Sequence, residues 1–288
     1  MKKILSLILA MLMVVSVLPA VFAADVTATA AEEVSPYQAA IDFLGMEQIN
    51  IYHGTATGAA ANEDVTRWQM ALFVARLITA ETKDSYWATT QNDSGFTDVA
   101  EFNGKSDAVL GAISFASQKG IVNGIGGGLF DPEGGIEYRQ AITMIVRALG
   151  YTYKASGYPW SYITKARELG LLEGISGVGL EETITRGVVA QLLYNAFFAD
   201  VDGKTVAESV FNVGMTVVLL TASNNVVYEG NAAKVLRDSY VQFSELDEQG
   251  EPTGAKYHVS MKNFGLNSKA EADAAVGTPY FVYYKDGC

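Results

Sequence analysis

Three stretches of the chain repeat one pattern of apolar and polar positions, and such a repeat sets architecture before any local reading. Counted from Val65, Ile136 and Ile184, the positions at +5, +8, +9 and +12 are Met70, Phe73, Val74 and Leu77, then Ala141, Met144, Ile145 and Ala148, then Val189, Leu192, Leu193 and Ala196. Each set is one apolar stripe of an amphipathic helix, the face that forms a core. Upstream, an earlier helix in each copy stops at an aligned Asn50, Gly120 or Gly170. These residue types best tolerate the left-handed conformation that ends a helix. Apolar pairs follow (Ile51 and Tyr52, Ile121 and Val122, Leu171 and Leu172) and tuck the exit under the core. From Gly54, Gly124 and Gly174 to the Val or Ile of the next helix is 11, 12 and 10 residues. The pattern predicts helix, loop, helix three times, in residues 37–80, 81–150 (best defined over 96–150) and 151–199. Each short copy exposes apolar surface that only its neighbours can cover, so 37–199 is expected to fold as one all-α unit.

Beyond Asp202-Gly203 the period changes from helical to alternating. Gly214–Leu220 and Val226–Tyr228 flank Ala222–Asn225, which reads as a hairpin turn. Tyr240–Phe243 and Lys256–Val259 flank the polar loop Asp247–Gly254, and Pro279–Tyr284 is a last strand. The expected fold class is α+β multidomain: a helical unit followed by a small antiparallel β domain over 204–288, large enough to fold though marginal in size.

Chemistry concentrates at the start of each second helix. Thr66 with Gln69 spells a capping box, each side chain satisfying a backbone N–H of the other. Thr185 caps alone, because Val188 cannot return the bond. Arg67 and Arg186 follow in the first helical turn, where the positive end of the macrodipole disfavours a cation by about 0.3–1 kcal/mol. Two explanations stand open: an ion pair with a loop carboxylate (Asp64, Glu182), or an anion site where guanidinium and free helix N–H groups converge on an acidic ligand. On the anion-site reading, removing Arg67 is expected to leave folding nearly intact, whereas a structural ion pair would show as a melting temperature lowered by several degrees when both arginines are removed.

The first residues add a compartment. Met1-Lys2-Lys3, an apolar run from Ile4 to Val21 and a small-residue end at Ala23 spell a secretory signal peptide over 1–23, followed by a linker over 24–36. Without Lys2 and Lys3 the chain holds 18 basic and 32 acidic residues, a net charge of −14. That surface repels nucleic acid and anionic lipid at long range, so neither nucleic acid nor, after cleavage, a membrane is an expected partner. A polyanionic ligand must then be held by local arginine sites.

Other chemistries fail on arithmetic or context. His53, His258 and the single Cys288 are too few for a structural zinc site, and one cysteine excludes an intramolecular disulfide. Gly124–Gly128 follows a helix rather than a strand and lacks the Lys-Ser/Thr of a phosphate loop. Asp131–Gly135 lacks the alternating ligands of an EF-hand loop. No metal, no cofactor and no catalytic residue is expected.

The second copy also carries Phe96-Thr97-Asp98-Val99, Gly120-Ile121 with Gly124, and Gly128-Leu129-Phe130-Asp131-Pro132. With Val65-Thr66-Arg67 and Ile184-Thr185-Arg186, these segments resemble the bacterial S-layer homology family. Its repeat has an aromatic-x-Asp-Val start, a Gly-Ile-x-x-Gly turn, a Gly-x-Phe-x-Pro loop and an Ile-Thr-Arg-Ala-Glu signature. The resemblance covers about residues 37–199. It departs at Tyr138, which stands at the signature arginine position with Arg139 one place late, and at Gln69 and Gln140, which replace the glutamate. It implies a non-catalytic, pseudo-threefold helical unit of three repeats, anchored non-covalently in the wall or surface layer of a bacterium. The partner it implies is an acidic secondary cell-wall polysaccharide, often pyruvylated, with self-association in a surface layer. Carried over, the glycan-binding residues are Arg67, Arg186, Thr66 and Thr185, with Asp98 and Gly124 bordering a groove and Tyr138 and Arg139 at the drifted third site. The competing expectation is that the repeats anchor a larger secreted enzyme whose catalytic part lies at or beyond the C-terminus.

Overall fold

A computed structural model describes residues 35–55, 58–89, 93–100, 107–223, 240–247, 249–261, 266 and 268–285. The expected signal peptide and Val226–Tyr228 lie outside these residues. The helical part contains α1 (Gln38–Gly45), α2 (Arg67–Thr79), α3 (Asp84–Thr89), α4 (Thr97–Ala100), α5 (Asp107–Gln118), α6 (Tyr138–Ala148), a 3-10 turn (Ala155–Gly157), α7 (Trp160–Glu168) and α8 (Arg186–Phe197). The three striped helices are α2, α6 and α8. Every stripe residue except Ala148 is buried, in one continuous core shared with Ile51, Tyr52, Ile121, Val122 and Leu171. Asn50, Gly120 and Gly170 adopt positive φ, 51°, 68° and 72°, where a left-handed residue must end each preceding helix.

At the centre the three copies close on one another through backbone. The Val65 N–H donates to the Ile184 carbonyl (3.0 Å), Ile184 to Ile136 (3.1 Å) and Ile136 to Val65 (2.8 Å). All three side chains are buried, so the triangle sits where an unmade bond would carry a full desolvation cost. The N–H groups two and three residues further on run round the copies in the opposite sense. Arg67 and Trp68 donate to Gly134 and Pro132, Tyr138 and Arg139 to Glu182 and Leu180, and Arg186 and Gly187 to Glu63 and Ala61. Each striped helix is therefore capped by the loop of the following copy.

A short hairpin, β1 (Asp200–Val201) and β2 (Lys204–Thr205), leads into α9 (Val206–Phe211). Thr205 and Glu208 cap α9 reciprocally. Val206, Ala207, Phe211 and Val213 belong to the helical core, and Phe211 packs against Phe197 at 4.9 Å between ring centroids. The helical core thus continues past residue 204, because a capped amphipathic turn buries its apolar side there.

The sheet contains β3 (Val213–Ser223), β4 (Tyr240–Leu246), β5 (Pro252–Ser260) and β6 (Pro279–Lys285), in the order β5-β4-β3-β6 with antiparallel neighbours. β3 runs on through Ala222-Ser223, where a hairpin turn was expected, with a bulge between Leu220 and Ala222. An added helix, α10 (Lys269–Ala275), lays Ala272 and Ala275 on Leu220 and Val241 in a small separate core.

Candidate functional site

Arg67 does not project into solvent from its helix. It is 6% exposed, its Nε donates to the Phe130 carbonyl (2.7 Å), and its Nη1 donates to Gln140 Oε1 (2.9 Å). The guanidinium lies over the Phe130 ring, 5.0 Å from the centroid. Burial pushes its pKa below the ordinary arginine value, opposed by Asp131, Tyr158, Glu137 and Asp98. Among the described residues it forms no ion pair, so the partner is a carbonyl and a ring rather than Asp64. The free helix N–H groups expected beside it are also taken, by Gly134 and Pro132. Those two helix N–H groups are therefore not available to an anion at this site.

Asp98 acts on Arg67 at one remove. Its carboxylate accepts from the Phe130 N–H (2.9 and 3.1 Å) and the Asp131 N–H (2.7 Å), which fixes the carbonyl that orients the guanidinium. Gly124 is required by geometry. Its φ is +66°, and a Cβ there would stand 2.3 Å from the Leu129 carbonyl oxygen.

Arg67 and Gly124 border a cavity of about 410 Å³. Arg67, Gln140 and Arg147 form its polar side, the 121–125 turn its floor, and Tyr153 and Tyr158 a further wall. Arg147 was not singled out in the sequence. Its Nη1 donates to the Ile121 carbonyl (3.3 Å) and its Nε to the Tyr162 hydroxyl (3.1 Å), and with the Asn123 amide turned over its Nη2 donates to the side-chain oxygen (3.0 Å). The signal was available: Arg76, Arg147 and Asn195 share position +11 and donate to the Ile51, Ile121 and Leu171 carbonyls respectively. This position pins each turn.

The other candidate residues fall elsewhere. Arg186, 3% exposed, lies over the rings of Tyr52 (4.9 Å) and Phe73 (5.4 Å), and its Nη2 donates to the His53 carbonyl. Its Nε is buried without a hydrogen-bond partner among the described residues. A cavity of about 360 Å³ at the matching turn of the first copy is lined by Tyr52, Gly54 and Asp42, and does not include Arg186 in its lining. Tyr138 is buried, and burial raises its pKa. Arg139 is held by Glu137 (2.6 Å) and Glu181 (2.7 Å), the Glu137 bond first among the causes that raise its pKa. Thr185 caps α8 through the Val188 N–H at 3.5 Å. At Thr66 the Gln69 half of the box is made (3.0 Å), while the hydroxyl faces the Gln69 N–H without closing a hydrogen bond. The structure brings Arg67 and Gly124 to one cavity, with Asp98 behind them. Arg186, Tyr138 and Arg139 lie outside it.

Residues 96–142 match the S-layer homology domain, a span that holds Asp98, Gly124, Tyr138 and Arg139 but neither Arg67 nor Arg186. A cell surface protein of Thermoanaerobacter kivui is 29% identical over 277 residues, 92% of this chain and 35% of that protein. A surface layer protein of Brevibacillus choshinensis is 30% identical over 184 residues, 63% of this chain and 16% of that protein. A middle cell wall protein of Brevibacillus brevis is 30% identical over 202 residues, 69% of this chain and 18% of its own length. The chain spans about a third or less of each relative's length. The domain match and these surface and wall proteins support a cell-surface, cell-wall location for a protein carrying an S-layer homology domain.

Proposed function

We propose that residues 37–199 act as three S-layer homology copies that hold the protein at the cell wall by binding an acidic secondary cell-wall polysaccharide. The principal site is the cavity at Arg67, and the acid is a carboxylate such as a pyruvyl ketal. The observation that carries this reading is the Arg67 guanidinium itself, fixed through Nε and Nη1 with Nη2 left without a protein partner among the described residues. A cation held this way costs no reorganisation when an anion arrives. The formal charge of the whole chain is −12, so general attraction cannot supply the affinity. The groove carrying Tyr138 is a poor anion site, because a tyrosine stands at the signature arginine position and Arg139, one place on, is already paired with two glutamates. Arg186 is a weaker candidate than Arg67, being stacked beneath Tyr52 and Phe73. The 204–288 segment serves as spacer or assembly surface, and the activity is binding rather than catalysis.

The test is co-sedimentation with wall sacculi that retain their secondary polysaccharide and with sacculi stripped of it. The protein is expected to bind only the first. Loss of one charge-assisted contact is worth about 1.5–3 kcal/mol, so Arg67→Ala is expected to bind roughly ten- to a hundredfold more weakly, at a temperature where circular dichroism shows it folded. Arg67→Lys keeps the charge and loses the fork, and should fall between. Equal binding to both kinds of sacculi would remove the reading.

A further inference from the structure

Large exposed apolar side chains are unevenly spread over the helical part. Of seven among the described residues of 35–199, five are Ile125, Leu129, Tyr153, Tyr158 and Trp160. All five come from two segments, the loop after Gly124 and the connector 153–160, and Ile125, Tyr153 and Tyr158 line the Arg67 cavity. Single exposed apolar residues are ordinary on a soluble protein, whereas three lining one cavity, with Leu129 and Trp160 in the same two segments, mark a binding surface.

The connector is held in place. The Gly157 N–H donates to Lys154 (2.9 Å) and the Tyr158 N–H to Ala155 (3.1 Å). Tyr153 meets Tyr162 edge-on at 5.1 Å, and its N–H donates to the Tyr162 hydroxyl. Tyr158 stands in the field of Arg139, Arg147 and Arg67, and its hydroxyl has no hydrogen bond among the described residues. Two residues on, Trp160 opens α7 at 65% exposure, whereas Trp87 is fully buried. Rigid aromatic faces with polar tips beside a fixed guanidinium suit a ligand that is acidic at one point and apolar on a flat C–H face nearby. A lone carboxylate would need no aromatic wall, and an apolar peptide would need no guanidinium.

We propose that the 153–160 connector is a sugar-stacking subsite, so that the groove takes at least two linked sugars: an acidic one at Arg67 and a neutral pyranose laid against Tyr158 and Trp160. This rests on the glycan reading of the same cavity.

The experiment measures binding of Trp160→Ala, Tyr158→Ala, Trp160→Phe and Arg67→Ala to polysaccharide-bearing sacculi at two salt concentrations. From about 0.1 to about 1 M the screening length falls from about 10 to about 3 Å. Both alanine variants of the connector should bind roughly five- to tenfold more weakly than wild type. That factor should hold at both salts, because stacking is not ionic, and Trp160→Phe should recover most of it. The factor lost by Arg67→Ala should shrink at high salt. Connector variants within about twofold of wild type, beside a defective Arg67→Ala, would overturn the stacking subsite and leave the anion site standing. A connector defect that shrinks with salt as that of Arg67→Ala does would overturn it too. Wild-type protein that fails to sediment would overturn both.

Discussion

Replacing Arg67 by alanine should destabilise the fold, contrary to what its place in the first helical turn suggests. Two charge-assisted bonds disappear, and the Phe130 carbonyl loses a buried donor at 2.7 Å. An acceptor left unpaired costs about 1–3 kcal/mol, and a desolvated cation–π contact is worth about 0.5–2 kcal/mol. Relief of the dipole clash returns about 0.3–1 kcal/mol, and release of a buried charge returns part of the remainder. A net loss of about 2–3 kcal/mol follows. At about 2–4 °C per kcal/mol for a unit of this size, the Tm read by far-UV circular dichroism should drop by about 5–10 °C. Arg67→Lys should lose roughly half as much, since an ammonium cannot span Phe130 and Gln140 in one plane. A Tm for Arg67→Ala within about 1 °C of wild type would refute the reasoning and restore a dispensable arginine.

Further outcomes follow from the same geometry. Gly124→Ala must hold φ +66° and bring a Cβ to 2.3 Å from the Leu129 oxygen, so its urea midpoint should fall by the equivalent of about 1–3 kcal/mol. Asp98→Ala frees the Phe130 and Asp131 N–H groups and should cost about 1.5–3 kcal/mol. It should also weaken sacculus binding although Asp98 need not touch the glycan, and unchanged binding would break the link from Asp98 through Phe130 to Arg67. His53 is held below its ordinary pKa by burial first and by Arg76 next. Its contribution is full above the unfolded value of about 6.5 and is lost as pH falls from there through the folded value. Urea melts of wild type should weaken across that window, and those of His53→Gln should weaken less. Limited proteolysis should cut at Asp202-Gly203, the exposed turn between β1 and β2. Residues 206–213 should then remain on the helical fragment in native gel filtration, because Val206 and Phe211 are buried in its core.

Local features were legible because they depend on neighbours in sequence. The stripe from Met70 to Leu77 has one helical period whatever it packs against, and Asn50, Gly120 and Gly170 stop helices by their own backbone freedom. The strands at 240–243, 256–259 and 279–284 showed in their alternation for the same reason, and Thr185 in its capping position. What the sequence left open was always a partner far along the chain. Nothing near Arg67 says that Phe130, 63 residues on, supplies both a carbonyl and a ring, or that Gly134 and Pro132 occupy the helix N–H groups. Position +11 was visible as an offset, but its purpose appears only once Arg147 reaches Ile121. The sheet order, with β6 beside β3, likewise depends on which edge the returning chain finds. Sequence alone determined the three striped helices and their apolar faces, since hydrophobic period and chain stiffness are local. Tertiary structure decided which arginine meets a cavity, because the cyclic closure through Val65, Ile136 and Ile184 carries one copy's helix end into the next copy's loop.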